Sequence, residues 1–291
     1  MATLRELRQR ISSVQNTQKI TKAKELVAAA KMRRAQQAME ATRPYAEGIA
    51  RMLARLSGHR LDATHPFLEP REVKTRLLIV VTADRGLTGG LNINAIRAAN
   101  RFIQGDRTPV KLVTIGRKGR DYFNRFNVDI LADRSMIGDR PPIHEIRPAV
   151  TVAMDEFLAG NVDEVWLLYT RYINAVTQSP TTVRIIPPEV KQVAEKEREG
   201  AESLYEFEPD AETVLGALLP RYVESQVYHA VLENQASEQA ATMTAMRAAS
   251  DNAAELIEAL TLVRNKLRQA AITTELMEIV GGAEALAQAS A

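Results

Sequence analysis

The sharpest chemical signal in this 291-residue chain is Thr82-Ala-Asp-Arg-Gly-Leu-Thr-Gly-Gly-Leu-Asn92, a glycine-rich stretch that follows an apolar run and opens an amphipathic segment. A loop at that position can cradle phosphate on backbone N–H groups at a helix N-terminus. Gly86, Gly89 and Gly90, however, match neither G-x-G-x-x-G nor G-x-x-x-x-G-K-[ST]. The next apolar run leads into Gly116-Arg117-Lys118, where a ribose-binding acid would stand in a dinucleotide fold. A tight structural turn accounts for the same residues. In that turn Asp84 beside Arg85 reads as a loop-stabilising pair, not as a catalytic acid.

Other chemistry is sparse. His59, His65, His144 and His229 are scattered without metal-ligand spacing, and no Ser/His/Asp arrangement can be assembled. With no cysteine, disulfides, thiolate zinc sites, redox centres and cysteine nucleophiles are all excluded. We therefore expect no catalytic residue, no metal site and no cofactor. Lys22, Lys24, Lys31, Arg33 and Arg34 form a basic cluster that suits either a nucleic-acid face or a surface for an acidic protein. The aromatic platforms and groove-reading motifs of nucleic-acid binders do not accompany it.

The elements that must position these residues follow from charge and hydropathy. Thirty-eight Lys and Arg against 36 Asp and Glu give a net charge of +2, but the first sixty residues hold thirteen of those cations against four acids. The stretch from Glu189 to Glu212 is mostly acidic and reads as a solvated connection. No window is apolar enough to span a membrane, and the N-terminus lacks the apolar core of a signal peptide, so a cytosolic-side soluble chain is expected.

Between about residues 72 and 187, short apolar runs alternate with amphipathic segments. Strands are predicted at 76–81, 110–115, 128–132, 164–169 and 182–186, and helices at 93–103, 118–126 and 144–158. Such alternation implies a small, mainly parallel, Rossmann-like α/β domain. The two ends carry heptads instead. One seam runs through Leu4, Leu7, Ile11, Val14, Gln18, Thr21, Glu25 and Ala28 as far as Leu56. The other runs from Tyr228 through Gln235, Met246, Ala253, Leu256, Leu260, Val263 and Leu267 to Met277. At about 1.5 Å per residue the helices would reach roughly 80 and 110 Å, too long for a domain about 30 Å across. An antiparallel coiled coil with an overhanging C-terminal helix is expected, with a kink or restart near Pro44 and a true start of the last helix at Pro220. The predicted organisation is a helix over 1–60, an α/β domain over 72–190, an acidic connection over 191–211 and a helix over 212–291.

Ile11-Ser-Ser-Val-Gln-Asn-Thr-Gln-Lys-Ile-Thr-Lys22, Leu26-Val-Ala-Ala-Ala-Lys-Met-Arg-Arg-Ala35, the Thr82 to Asn92 loop and Ile272-Thr-Thr-Glu-Leu-Met-Glu-Ile-Val-Gly-Gly-Ala283 fall in one order. Together they closely resemble the gamma subunit of F-type ATP synthase, of bacterial type. The resemblance implies a non-catalytic rotor shaft. Its paired helices would stand inside a hexamer of alpha and beta subunits, with the α/β domain against the epsilon subunit and the membrane c-ring, peripheral to the cytoplasmic face of the cell membrane. Neither nucleic acid nor a small-molecule substrate would bind it directly. On the same resemblance Lys24, Lys31, Arg33, Arg34, Arg268, Gln269 and Glu275 are the expected contacts to alpha and beta subunits. Lys24 stands where many members have Met, and Thr88 replaces a common Cys. The cysteine-bearing insertion that gives chloroplast members thiol control is not present. A nucleotide-binding α/β regulator with coiled-coil arms is the competing class.

Overall fold

In the computed structural model, residues 3–58, 65–69, 71–105, 108–126, 128–188 and 210–289 are described. Residues 191–209 of the expected acidic connection, and His59, lie outside them. The described chain forms α1 (Leu4–Gly58), β1 (Arg76–Val81), α2 (Leu91–Gln104), β2 (Val110–Ile115), α3 (Arg117–Phe123), β3 (Ile130–Arg134), α4 (Ile143–Leu158), β4 (Glu164–Tyr172), β5 (Gln178–Ile186) and α5 (Ala211–Ala289). By contact density it divides into two units. One comprises Met1–Val27 with Ala245–Ala291, the other Ala28–Thr244.

The larger unit holds a five-stranded sheet in the order β3-β2-β1-β4-β5, parallel except for β4 with β5. The β1 run Leu77–Val81 lies at the centre and is buried throughout because helices cover both faces. Leu77, Ile79, Val81, Val113 and Leu167 pack on α4 through Ile146, Val150 and Phe157, and on α5 through Leu215, Leu219, Val223 and Val227. Leu78, Val80, Leu112 and Leu168 pack on Ala95 and Ala99 of α2 and on Phe123. At the N-terminal edge of the sheet the buried Glu164 carboxylate takes hydrogen bonds from Arg76, Arg184 and Trp166. Burial opposes its ionisation, yet these three donors hold it below the usual carboxylate range.

Several boundaries differ from the sequence reading. β5 begins at Gln178, not Thr182; its first half is polar and contains Pro180, which an edge strand tolerates because its missing N–H costs no ladder bond. β3 lies at 130–134, two residues later than expected, and α3 ends at Phe123 with a 3-10 turn over Asn124–Phe126. Neither proline breaks its helix. α1 runs through Pro44, where the carbonyl left without a donor belongs to the exposed Glu40. α5 runs through Pro220 and starts at Ala211, because Asp210 caps it by accepting from Thr213 N at 2.7 Å and Thr213 Oγ1 at 2.8 Å.

The α1 seam holds at every described position. Leu7, Ile11, Thr21, Ala28, Ala35, Met39, Ala46, Ile49 and Leu53 are buried, with Leu4, Val14, Gln18, Glu25, Met32 and Thr42 partly so. In the larger unit α1 and α5 run antiparallel. Thr42 Oγ1 lies 3.2 Å from His229 Nδ1, and Lys31, earlier on α1, faces Glu238, later on α5. In the smaller unit the row Met246, Ala253, Leu260 and Leu267 packs as expected. Its companion row is one residue later, through Ser250, Ile257 and Arg264, leaving Leu256 and Val263 exposed. From Arg268 to Ala283 every residue of α5 is exposed, as an overhang requires.

Candidate functional site

The carboxyl ends of β1 and β4 frame the crevice in which an open α/β sheet binds ligands, the place where strand order reverses. Here the chain fills it. β1 stops pairing with β4 at Leu168, which leaves the next β4 backbone groups on that side without a strand partner, while β5 still pairs the other side. Side chains of α5 take their place: Thr170 N donates to Asn234 Oδ1 at 3.3 Å, Ser237 Oγ donates to Thr170 O at 2.9 Å, and Tyr172 N donates to Glu233 Oε1 at 3.1 Å. One turn further on, Ala241 packs against Ala83 and Leu91. Burial raises the Glu233 carboxyl above its ordinary range, only partly offset by Tyr172 N–H and Arg171. Beside it burial pushes the Tyr169 phenol up to about 12. These buried polar residues of α5 escaped the sequence reading as a site. Their only signal was the polar run Glu233-Asn-Gln-Ala-Ser-Glu-Gln239 interrupting an apolar seam.

The glycine-rich loop is a turn built around Asn92. Asn92 Oδ1 accepts from Ala83 N at 3.0 Å, and its Nδ2 donates to Arg85 O at 3.2 Å and Thr88 Oγ1 at 3.0 Å. Positive φ at Leu87 and Gly89 closes the curve. Asp84 does stabilise the loop, but its hydrogen-bond donor is the Arg117 backbone N–H at 2.9 Å and not Arg85. The second turn is equally occupied. Thr82 Oγ1 accepts from Gly119 N at 2.9 Å, and a Cβ on Gly116, whose φ is +102°, would meet Thr82 O at 2.0 Å. The N–H groups of Ala83, Arg117 and Gly119 are therefore spent on the protein itself.

The expected contact residues lie on the long helices. Lys24, Arg33 and Arg34 are exposed on α1, whereas the partly buried Lys31 reaches Asp139 Oδ2 at 2.7 Å. Arg268, Gln269 and Glu275 are exposed on α5, and the Gln269 carbonyl accepts from Thr273 Oγ1 at 2.9 Å. The expected contacts divide between the units: Lys24, Arg268, Gln269 and Glu275 belong to the smaller, Lys31, Arg33 and Arg34 to the larger. Apolar side chains are exposed on the same helices, including Leu26 and Val27 on α1 and Leu256, Val263, Leu276 and Met277 on α5. Of the histidines, His65 Nδ1 accepts from Phe67 N at 3.1 Å, His144 is exposed, and burial, reinforced by Arg43, keeps His229 below the ordinary imidazole range. Among the described residues no group of three or more His, Asp or Glu has the geometry to hold a metal ion, and no helix is long and apolar enough to cross a membrane.

Comparison with known proteins finds relatives over nearly the whole chain. The family model described as ATP synthase matches residues 3–286. The ATP synthase gamma chain of Desulfitobacterium hafniense is 46% identical over 286 residues, 98% of this chain and 100% of that one. The gamma chain of Ralstonia nicotianae is 47% identical over 291 residues with the same coverage. A chain of the Tetrahymena thermophila mitochondrial ATP synthase central stalk and c-ring structure superimposes with a TM-score of 0.60 at 25% identity, covering 79% of this chain and 99% of that one. One of the Euglena gracilis mitochondrial ATP synthase OSCP/F1/c-ring structure reaches 0.67 at 22% identity, covering 97% and 94%, a likeness of fold. Matched nearly from end to end by both sequence and family model, this chain belongs to the ATP synthase gamma chain family.

Proposed function

We propose that the chain is the central-stalk rotor subunit of an F-type ATP synthase, without an active site of its own. It would couple ion flow through a membrane c-ring to the conformational cycle of catalytic beta subunits. The observation that carries this reading is the exposed, partly apolar stretch of α5 beyond Leu267, continuous with a seam-paired helix. Exposed apolar residues at that density mark a surface meant for other proteins. A shaft acts only by contacting some beta conformations better than others, because equal contact shifts no population. Helices whose faces differ in charge and apolarity supply that difference. Lys24, Arg33 and Arg34 would meet acidic parts of the beta subunits, Lys31 being held by Asp139 within the chain, and Arg268, Gln269 and Glu275 would meet alpha and beta subunits near the other end of α5. Exposed ion pairs of this kind contribute about 0 to 1 kcal/mol each, weak enough to break at every step of a rotation. The epsilon subunit and the c-ring would bind the α/β domain, on the cytoplasmic face of a bacterial membrane.

Mixing the full chain with alpha and beta subunits tests the proposal. One copy per hexamer, with restored ATPase activity, is expected. Failure to assemble, together with stoichiometric ATP binding by the chain alone, would favour a nucleotide-binding regulator instead.

A further inference from the structure

Glu238 of α5 occupies an unusual position in the larger unit. Four segments meet there: one turn before it on α5, Gln235 bonds Gly138 O in the loop after β3, which brings Asp139; one turn after it, Ala241 packs on Ala83 in the loop after β1, which brings Asp84 and Arg85; and α1 brings Lys31, paired to Asp139. On α5 the residues one turn either side, Asn234, Gln235, Ala241 and Thr242, carry no charge. Lys31 Nζ is held by Asp139 Oδ2 at 2.7 Å, and Asp84 is held by Arg117 N at 2.9 Å. Among the described residues nothing hydrogen-bonds the Glu238 carboxyl, and the residue is partly buried. With that carboxyl neutral, two acids and two bases balance. Ionised, it leaves one negative charge in excess in a partly buried setting, and Lys31 is the one cation in the cluster already paired to a competing carboxylate.

The loop that carries Asp139 is positioned to respond. Residues 135–142 contain two left-handed backbone positions, Met136 and Gly138, and no regular secondary structure. It is tied to the long helices by two contacts: Lys31 to Asp139, and Gln235 Nε2 to Gly138 O at 2.8 Å. Lys31 is a third exposed, so its ammonium has room to change partners.

We propose that Glu238 is a proton-controlled switch at this junction: protonated, it leaves Lys31 on Asp139 and the loop fastened to α1; ionised, it takes Lys31 away and frees the loop from α1, leaving it tied to α5 through Gln235 alone. Burial first, then the facing Asp84 and Asp139 carboxylates, raise Glu238 from 4.5 to about 7 against the pull of Arg85 and Lys31. The exchange therefore falls near neutral pH. A carboxyl raised in the folded state binds more protons folded than unfolded between those two values, so its ionisation lowers stability as pH climbs from about 4.5 to about 7 and adds nothing further above.

The test uses the purified full chain. Amide exchange in residues 135–140, divided by the intrinsic rate at each pH, is followed from pH 5.5 to 8.5 alongside Tm. In the wild type, protection of the loop falls by about tenfold or more across neutrality, the equivalent of one unit in an ionisation equilibrium. In Glu238→Gln it stays level, and the decline in Tm over the same range flattens. Asp139→Asn provides a second reading that does not depend on Glu238→Gln folding: with Lys31 unclaimed and one like charge removed, the Tm transition moves down by about one pH unit. Loop protection independent of pH in the wild type, the same pH dependence in Glu238→Gln, or an unmoved midpoint in Asp139→Asn would each overturn the proposal.

Discussion

At the scale of single residues, buried side chains do structural work and exposed ones are free for contact. Asn92 exemplifies the first: one side chain satisfies the buried N–H of Ala83 and ties Arg85 and Thr88 into the turn. Asn92→Ala leaves that donor unpaired in the core, and we expect a loss of roughly 2 to 3 kcal/mol in urea unfolding. Lys24 exemplifies the second. It is exposed, so Lys24→Met should leave the unfolding midpoint of the isolated chain unchanged. If its ammonium forms charge-assisted bonds with an acidic part of a beta subunit, the substitution changes the ATPase rate or the coupling ratio of the assembled enzyme. Identical rate and coupling would remove Lys24 from the contact set. The sequence supplied the chemistry of both residues. That Asn92 faces inward, and that Lys31 has an internal partner where Lys24 has none among the described residues, follows from side-chain directions that spacing alone does not convey.

Among the elements, legibility tracked how much of the stabilisation was local. β1 and β2 were readable to the residue because both faces of a central parallel strand are buried, so the apolar run and the strand coincide. The first half of β5 was not, since an edge strand with polar residues and a proline owes its conformation to pairing with β4. The prolines misled in the opposite direction. Pro44 is a helix breaker by propensity, but the buried seam on either side, from Met39 to Ala46 and Ile49, holds α1 continuous across it. Because the residue is exposed and carries its penalty in the folded state, Pro44→Ala restores a helical hydrogen bond without disturbing packing. We expect it to raise stability by about 1 to 3 kcal/mol, measured by the denaturant midpoint. A decrease would mean that a bend at Pro44 is needed for the fit of α1.

For the molecule as a whole, the end of α5 separates folding from function. Residues 268–283 are exposed and contribute little burial to the chain, so removing everything after Leu267 should leave the Tm of the isolated chain within a few degrees of the original. The same truncation should impair ATPase activity or coupling once the chain is assembled with alpha and beta subunits; full activity would argue against a contact role for this stretch. The sequence by itself determined the long helices, the parallel sheet and the family, because heptad spacing, buried strand runs and the terminal motifs are all properties of residues close together in the chain. Only the tertiary structure decided the antiparallel register of α1 on α5, which of two adjacent rows on α5 packs inward, and the filling of the sheet crevice by Asn234 and Ser237. It also decided the meeting of Lys31, Asp84, Asp139 and Glu238. Each of those depends on contacts between residues tens to hundreds of positions apart, for which no local pattern in the chain stands proxy.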